Sequence, residues 1–323
     1  MPESKRKVVV VGAGIAGLAT AWYLQQAGVD TVVLEASERA GGKVRTSELD
    51  GVALDVGPDT FLGRMPWAVD LCRELGLDDE LIAPATTQAW LWSRAELRPL
   101  PDGLALGVPL KPMALARSGV VSPEGLARAA LDVVLPQIKP RADPSVADVI
   151  GGRLGDEVLN RLVDPLIGGI NAGRSDRLSL AAVAPDLFTA FRRHRSLIVG
   201  LRSERHKTPP SDAPLFLGLR GGMERLTSTL AAKLDIRLST AVEAVSRPEG
   251  HLSVAVRGGE GLPADAVVLA TPAPTTADAL RGASPKAAAS LSQIRYASVA
   301  VATLAYKPAD VVHPLNGSGF LVP

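Results

Sequence analysis

The strongest chemical signal in the chain is a run of six small residues, Gly12-Ala13-Gly14-Ile15-Ala16-Gly17. In this spacing the first glycine permits a tight turn and the second lets the backbone approach a pyrophosphate. The third lets a helix pack closely on a sheet. Glu35 stands eighteen residues after Gly17. An acid there accepts hydrogen bonds from ribose hydroxyls, whereas an arginine would indicate a 2′-phosphate. A second glycine pair, Gly41-Gly42, follows and leads into Lys43. The chemistry implied is the holding of a dinucleotide. No nucleophile elbow of the GxSxG type occurs, and His194, His206, His251 and His313 lack metal-ligand spacing.

These residues need particular elements around them. Residues 7–11 are a short β-branched strand pattern, 18–27 read as a helix, and 31–34 read as a second strand ending at Glu35. A bare structural glycine turn would not require this agreement of strand, helix, acid and second glycine pair. Asp50-Gly51 predicts a hairpin turn, and Gly57-Pro58-Asp59-Thr60 brings backbone amides near the cradle unless it is a simple turn. Residues 66–75 predict a helix with Gly76 as its cap. Residues 88–93 and 97–100 predict a hairpin, with Trp90 and Trp92 sharing one face as core residues or, alternatively, facing a ligand.

From residue 101 the pattern becomes mainly helical and extends to 211. Leu126, Ala130, Val133 and Val134 form an apolar stripe expected to pack on a neighbouring helix, with a membrane surface or tunnel lining as the alternative. Gly168, Gly169 and Gly173 mark backbone that bends or approaches something closely, and the basic run 192–207 reads as a solvated face or mobile loop, with anion steering at a pocket mouth as the alternative. Residues 208–211 read as a linker. Residues 216–223 then run into a helix pattern reaching 234, strand patterns recur over 236–238, 241–246 and 252–256, and 266–269 reads as a buried parallel strand. The return to α/β grammar makes the dinucleotide domain discontinuous. A last strand pattern, 298–306, is expected to pair with the Trp90 strand.

With 323 residues and a net charge of +1, the chain is long enough for about two domains and lacks the basic excess of a nucleic-acid binder. Cys72 is the only cysteine, so no internal disulfide is expected, and its apolar neighbours predict a buried thiol in a reducing compartment. No signal peptide and no uninterrupted apolar run of membrane-spanning length are present, which predicts a cytoplasmic protein.

As a set, Val10 to Gly17 with Glu35 and Arg39-Ala40-Gly41-Gly42-Lys43 resembles the FAD cradle of the amine oxidase–phytoene desaturase superfamily. Residues 54–61, 169–173 with 178–180, 216–223 and 317–323 are similar to the bacterial oxygen-dependent protoporphyrinogen and coproporphyrinogen III oxidases. The resemblance implies an α/β fold with a discontinuous, Rossmann-like FAD-binding domain, a helical insertion and a mixed-sheet substrate domain. The corresponding partition is 1–87 and 212–275 for the FAD domain, 88–100 for substrate-domain strands, 101–211 for the insertion, and 276–323 for the rest of the substrate domain.

It further implies FAD held by Gly12, Ala13, Gly14, Ile15, Ala16, Gly17, Glu35, Ala36, Lys43, Gly57, Pro58, Asp59 and Thr60, with the backbone of Val242 at the adenine. Lys43 departs from the arginine usual there, so its contact is expected to be less bidentate. The implied reaction is oxidation of a porphyrinogen to the porphyrin with oxygen as acceptor, in haem synthesis. The cofactor carries that chemistry, so no catalytic side chain is assigned. Gly169 (through its carbonyl), Arg64 and Arg174 are the candidates for substrate contacts, the arginines through propionates; the alternative for both is a surface arginine. The resemblance also implies further C-terminal strands beyond residue 323, so weak flavin retention and exposed sheet edges are expected of this chain. Peripheral membrane contact is the one non-substrate partner expected. Two other readings stand beside the main one. The first is an amine- or carotenoid-oxidising flavoenzyme. The second is a non-catalytic fragment that binds porphyrin or a partner.

Overall fold

The computed structural model describes residues 6–137, 142–206 and 213–323. They form two compact units. The first comprises the chain up to Ala83, Ala213–Tyr296 and Val301–Ala305; the second comprises Pro84–Asp212, Ala297–Ala300 and Tyr306–Pro323.

The first unit is built on a four-stranded, all-parallel sheet in the order Ile236–Arg237, Asp30–Leu34, Lys7–Val11, Ala266–Leu269. Because strand side chains alternate between faces, the valine run splits two ways. Val8 and Val10 join Leu18 and Ala21 of helix Ile15–Gln26 and Leu226 and Leu230 of helix Glu224–Ala231. Val9 and Val11 turn to the other face and pack with Val254 of the antiparallel sheet Val242–Ser246, Leu252–Val256, Leu262–Ala264. A strand covered on both faces has no place for a polar residue, which explains the unbroken run Val8 to Val11. The parallel strand expected at 266–269 forms, beside the first strand, but at the sheet edge and with none of its residues buried.

The Asp50-Gly51 hairpin forms between Thr46–Leu49 and Val52–Asp55, both turn residues taking positive φ (52° and 79°). Helix Pro66–Glu74 also forms, and Cys72 is buried within it. Burial, with Asp78 nearby, pushes its thiol up to about 11. Helices Ala273–Leu280 and Pro285–Leu291 also lie in this unit.

The second unit is mainly helical around Ile150, Leu154, Leu162, Leu180 and Leu187, with a small sheet of Trp90–Ser93, Glu96–Pro99 and Phe320–Leu321 against it. Its interior holds an ion pair. Asp132 and Arg153 are 0 % and 1 % exposed and meet at 2.7 Å. Ser196 Oγ (2.6 Å) and the Leu197 and Ile198 N–H groups (3.2 and 3.0 Å) also donate to the Asp132 carboxylate. Arg153 also donates to the carbonyls of Pro136, Asp132 and Arg195. Asp132 thus sits at the start of helix Leu197–His206, where a negative charge is favoured.

Four expectations need correction. Trp90 and Trp92 do share a face, but not that of the core: Leu91 and Ser93 are the buried residues of that strand, while Trp92 is exposed and Trp90 is half-buried, its indole nitrogen covered by the Gly317 segment. The partner of the Trp90 strand is Phe320–Leu321, in parallel, and residues 298–306 form no strand. Gly168 and Gly169 do not bend the chain. They lie within helix Asp164–Asn171, which ends on Ala172 at φ 48°, and Gly168 is where the returning Gly173 carbonyl comes closest. The apolar stripe packs only in part: Leu126 lies against the core beside the buried Gly125 and Ala129 of helix Pro123–Ala130, whereas Ala130, Val133 and Val134 are exposed. The linker at 208–211 lies outside the described residues.

Candidate dinucleotide site

The glycine loop joins the end of strand Lys7–Val11 to helix Ile15–Gln26. Gly12 takes φ +100°, and its N–H donates to the Leu34 carbonyl at 2.8 Å, tying the loop to the second strand. A Cβ at Gly17 would stand 1.9 Å from the Gly12 carbonyl oxygen, so only glycine lets the helix start here. Gly14 differs. Its φ of −71° suits any residue, and a Cβ built on it meets nothing within 4 Å. The fold therefore does not require glycine at 14, whereas a ligand lying against that backbone would. Gly14, Ile15 and Ala16 open to solvent while Gly12, Ala13 and Gly17 are buried. Helix Ile15–Gln26 has no acid in its first turn to offset its positive end.

Glu35 stands at the end of the second strand. Its Oε2 accepts the Ala13 N–H at 2.7 Å, and its Oε1 accepts the Ser37 N–H (2.9 Å) and hydroxyl (2.8 Å). Burial alone would raise its pKa, but those donors hold the carboxyl below its usual range. It is an ionised acceptor fixed beside the loop, which suits hydroxyl donors. Ala36 next to it is exposed.

The second glycine pair builds the other wall. Gly41 N–H donates to the Ala13 carbonyl at 2.8 Å, and a Cβ at Gly42 would lie 3.1 Å from Gly14 Cα. Arg39 donates to the carbonyls of Ala40 and Gly42 and stiffens this loop. Gly57 then packs on it: a Cβ there would lie 2.0 Å from the Lys43 carbonyl oxygen. Gly57, Pro58 and Asp59 are exposed, and the Thr60 hydroxyl donates to the Asp59 carboxylate at 3.1 Å. Val242 begins the antiparallel sheet, with a bulge at the next residue. The chain leading to it is bonded to the Glu35 segment, Thr240 N–H donating to the Glu35 carbonyl and Ser239 N–H to that of Ser37. The first unit thus gathers residues 12–17, 35–36, 41–43, 57–60 and 242 from five stretches of chain.

Residues 15–319 match the family described as flavin containing amine oxidoreductase. The chain belongs to that family. Its cofactor is a flavin. The chain is 32 % identical to coproporphyrinogen III oxidase of Bacillus subtilis over 336 residues, covering 100 % of this chain and 71 % of that enzyme. It is 36 % identical to the coproporphyrinogen III oxidase of Propionibacterium freudenreichii, over 93 % of this chain and 63 % of that enzyme. A solved structure from Exiguobacterium sp. 255-15, titled a candidate protoporphyrinogen oxidase, superposes with a TM-score of 0.74 at 32 % identity. That match covers 86 % of this chain and 62 % of the other. Reduced UDP-galactopyranose mutase, at 14 % identity and a TM-score of 0.60, shares the fold. This member of the family therefore spans about two thirds of the length of its relatives.

The three substrate candidates divide between the units. Arg64 lies in the first unit, exposed and without an ion-pair partner among the described residues. Gly169 and Arg174 lie in the second. Gly169 is exposed in the last turn of its helix, where carbonyls lack helical partners. Arg174 already has a carboxylate: Nε and Nη2 donate to the two Asp176 oxygens at 2.9 and 3.0 Å. It lines a cavity of about 360 Å³ with Asp164 and Asp176, a setting that does not favour a further carboxylate.

Sequence reading missed two supports of the cradle. Ala270 and Thr271 close on Gly12 from the far strand, their nearest atoms 3.0 and 3.1 Å from a Cβ placed there. The tight end of the strand at Ala270-Thr271-Pro272 was the available signal. Asp55 accepts the Met223 N–H (2.9 Å) and the Thr46 hydroxyl (2.6 Å). Gly222 stands where a Cβ would lie against the Thr46 side chain. The motifs at 54–61 and 216–223 therefore lock to one another, a pairing that spacing alone does not reveal.

Proposed function

We propose that this chain binds FAD in the cradle and oxidises a porphyrinogen to the porphyrin, coproporphyrinogen III foremost, with oxygen as acceptor in haem biosynthesis. The observation that carries the cofactor half is Gly14. Its glycine is idle in the folded chain, yet it lies between two glycines the fold cannot replace. The substrate half is supported by the similarity to coproporphyrinogen III oxidases along nearly the whole chain.

FAD, when bound, supplies two-electron acceptance and reoxidation by oxygen. The chain's own residues do the rest. Gly12 to Gly17 bring backbone N–H groups and the helix end to the pyrophosphate. Glu35, kept ionised, accepts ribose hydroxyls. Lys43 adds a positive charge at the rim, and Gly57 to Thr60 line the wall beside it. The Val242 backbone is assigned to the adenine. Arg64 is the candidate for a substrate propionate, since its guanidinium has no carboxylate of its own among the described residues. The Gly169 carbonyl is the candidate acceptor for a pyrrole N–H, and Arg174 reaches a propionate only by giving up Asp176. Exposed Val133 and Val134 support peripheral membrane contact as a partner surface. Among the described residues no helix is long and apolar enough to cross a membrane.

The test is anaerobic mixing of the FAD-loaded chain with coproporphyrinogen III, admission of air, and measurement of porphyrin fluorescence. Porphyrin forming faster than in the protein-free control supports the proposal. Binding without acceleration would leave a porphyrin-binding fragment instead.

A further inference from the structure

Tyr296 has no part in the assignments above, yet it touches two walls of the cradle. Its phenol oxygen accepts the Ala273 N–H at 2.9 Å, at the first residue of helix Ala273–Leu280. Its ring carries the Lys43 ammonium 5.9 Å from the centroid. Ala273 continues the Ala270-Thr271-Pro272 turn that closes on Gly12, and Lys43 continues the glycine pair that closes on Gly14. One ring therefore links the turn behind the glycine loop to the cation in front of it.

Lysine is a poor substitute for arginine at such a place for a physical reason. The ammonium is a point charge on a flexible stem, whereas guanidinium is planar and oriented by its own fork. Holding the stem in one rotamer costs conformational entropy. A tyrosine whose hydroxyl is tied to a helix start presents a fixed ring face, and a ring face attracts an ammonium.

We propose that Tyr296 is the positioning residue for Lys43, holding its ammonium at the cradle rim and supplying the orientation that an arginine would bring with it. This rests on the reading of the cradle as an FAD site. Tyr296 acts through Lys43 and is assigned no contact of its own with the cofactor.

The experiment measures FAD dissociation constants by flavin fluorescence for the chain and its Y296L, Y296F, K43M, K43R, Y296L/K43M and Y296L/K43R variants, at low ionic strength. Y296L is expected to weaken binding about two- to five-fold, the range of a partly exposed cation–π contact. Y296F keeps the ring and loses less. The Y296L change adds nothing in the K43M background, and K43R makes Tyr296 dispensable. An equal loss from Y296L in all three backgrounds overturns the proposal, because Tyr296 would then act only through the Ala273 turn. A second readout needs no cofactor. The Lys43 side-chain methylene protons should show an upfield ring-current shift by NMR that Y296L abolishes and Y296F retains. Identical shifts in the parent chain and Y296L overturn the inference whatever FAD does. A chain that shows the ring-current shift and still fails to bind FAD overturns the cradle reading and the inference with it.

Discussion

The cradle of the first unit and the buried ion pair of the second solve opposite problems with opposite materials. The cradle is made of backbone. Gly17 and Gly57 are required because a Cβ would strike a carbonyl oxygen at 1.9 and 2.0 Å, and Glu35, its acid, is part-buried. The Asp132–Arg153 site is made of side chains, and both charges are sealed from water. The first leaves backbone facing outward for a ligand. The second turns its polar groups on one another: the Asp132 carboxylate accepts from Arg153, Ser196, Leu197 and Ile198, and Arg153 spends its other bonds on three carbonyls, which suits a scaffold. A concentration of polar atoms is thus not a site by itself; what matters is whether their partners are already present in the chain.

The largest effect should come from breaking the ion pair. Removing one partner of a buried pair strands the other, so Asp132→Ala should cost about 3–5 kcal/mol in the unfolding of the second unit. Replacing both residues by apolar ones of similar volume should recover most of that loss. Chemical denaturation of the single and double variants checks both, and an additive double variant would remove the ion pair from the comparison.

Next is Gly17→Ala, which drives a methyl into the Gly12 carbonyl. A loss of about 1–3 kcal/mol is expected in the first unit, read by urea denaturation. Gly14→Ala is the contrasting case. Stability should stay within about 0.5 kcal/mol, since the methyl meets open space. FAD affinity should fall on the order of tenfold, as the methyl enters the space of the ligand. Loss of stability with intact binding would contradict the separation of the two glycine roles.

The smallest effect is the pH dependence of the cradle. The folded pKa of Glu35 lies below the unfolded value, so its contribution is present above about pH 4.3 and is lost as pH falls through the folded value. Glu157 of the second unit, held low by the Ser122 N–H, should behave with the same sign. Glu35→Gln should flatten the acid limb of the first unit's melting profile and leave that of the second.

Local pattern and local chemistry were enough for much of this molecule. The spacing of Gly12, Gly14, Gly17 and Glu35 made the βαβ unit and its glycine loop legible, because turn, helix start and acid recur at fixed intervals along one such unit. Asp50-Gly51 identified its hairpin for the same reason, since two adjacent residues hold all the information a turn needs. The strand at 266–269 was legible from its unbroken apolar run, but its place was not: it forms the edge of the parallel sheet, where Ala266 is exposed and Val267, Val268 and Leu269 are only half-buried.

Tertiary structure alone decided the rest. Which face of the Trp90 strand is buried depends on what lies beneath it, and alternation is symmetric until that is known. That Ala172 and not Gly168-Gly169 turns the chain depends on where the return segment must pass. The Asp132–Arg153 pair and the bond from Tyr296 to Ala273 join residues 21 and 23 positions apart, and Lys43 meets Tyr296 across 253. No periodicity spans such separations, because a contact between distant residues is set by the packing of whole elements and not by the residues that make it.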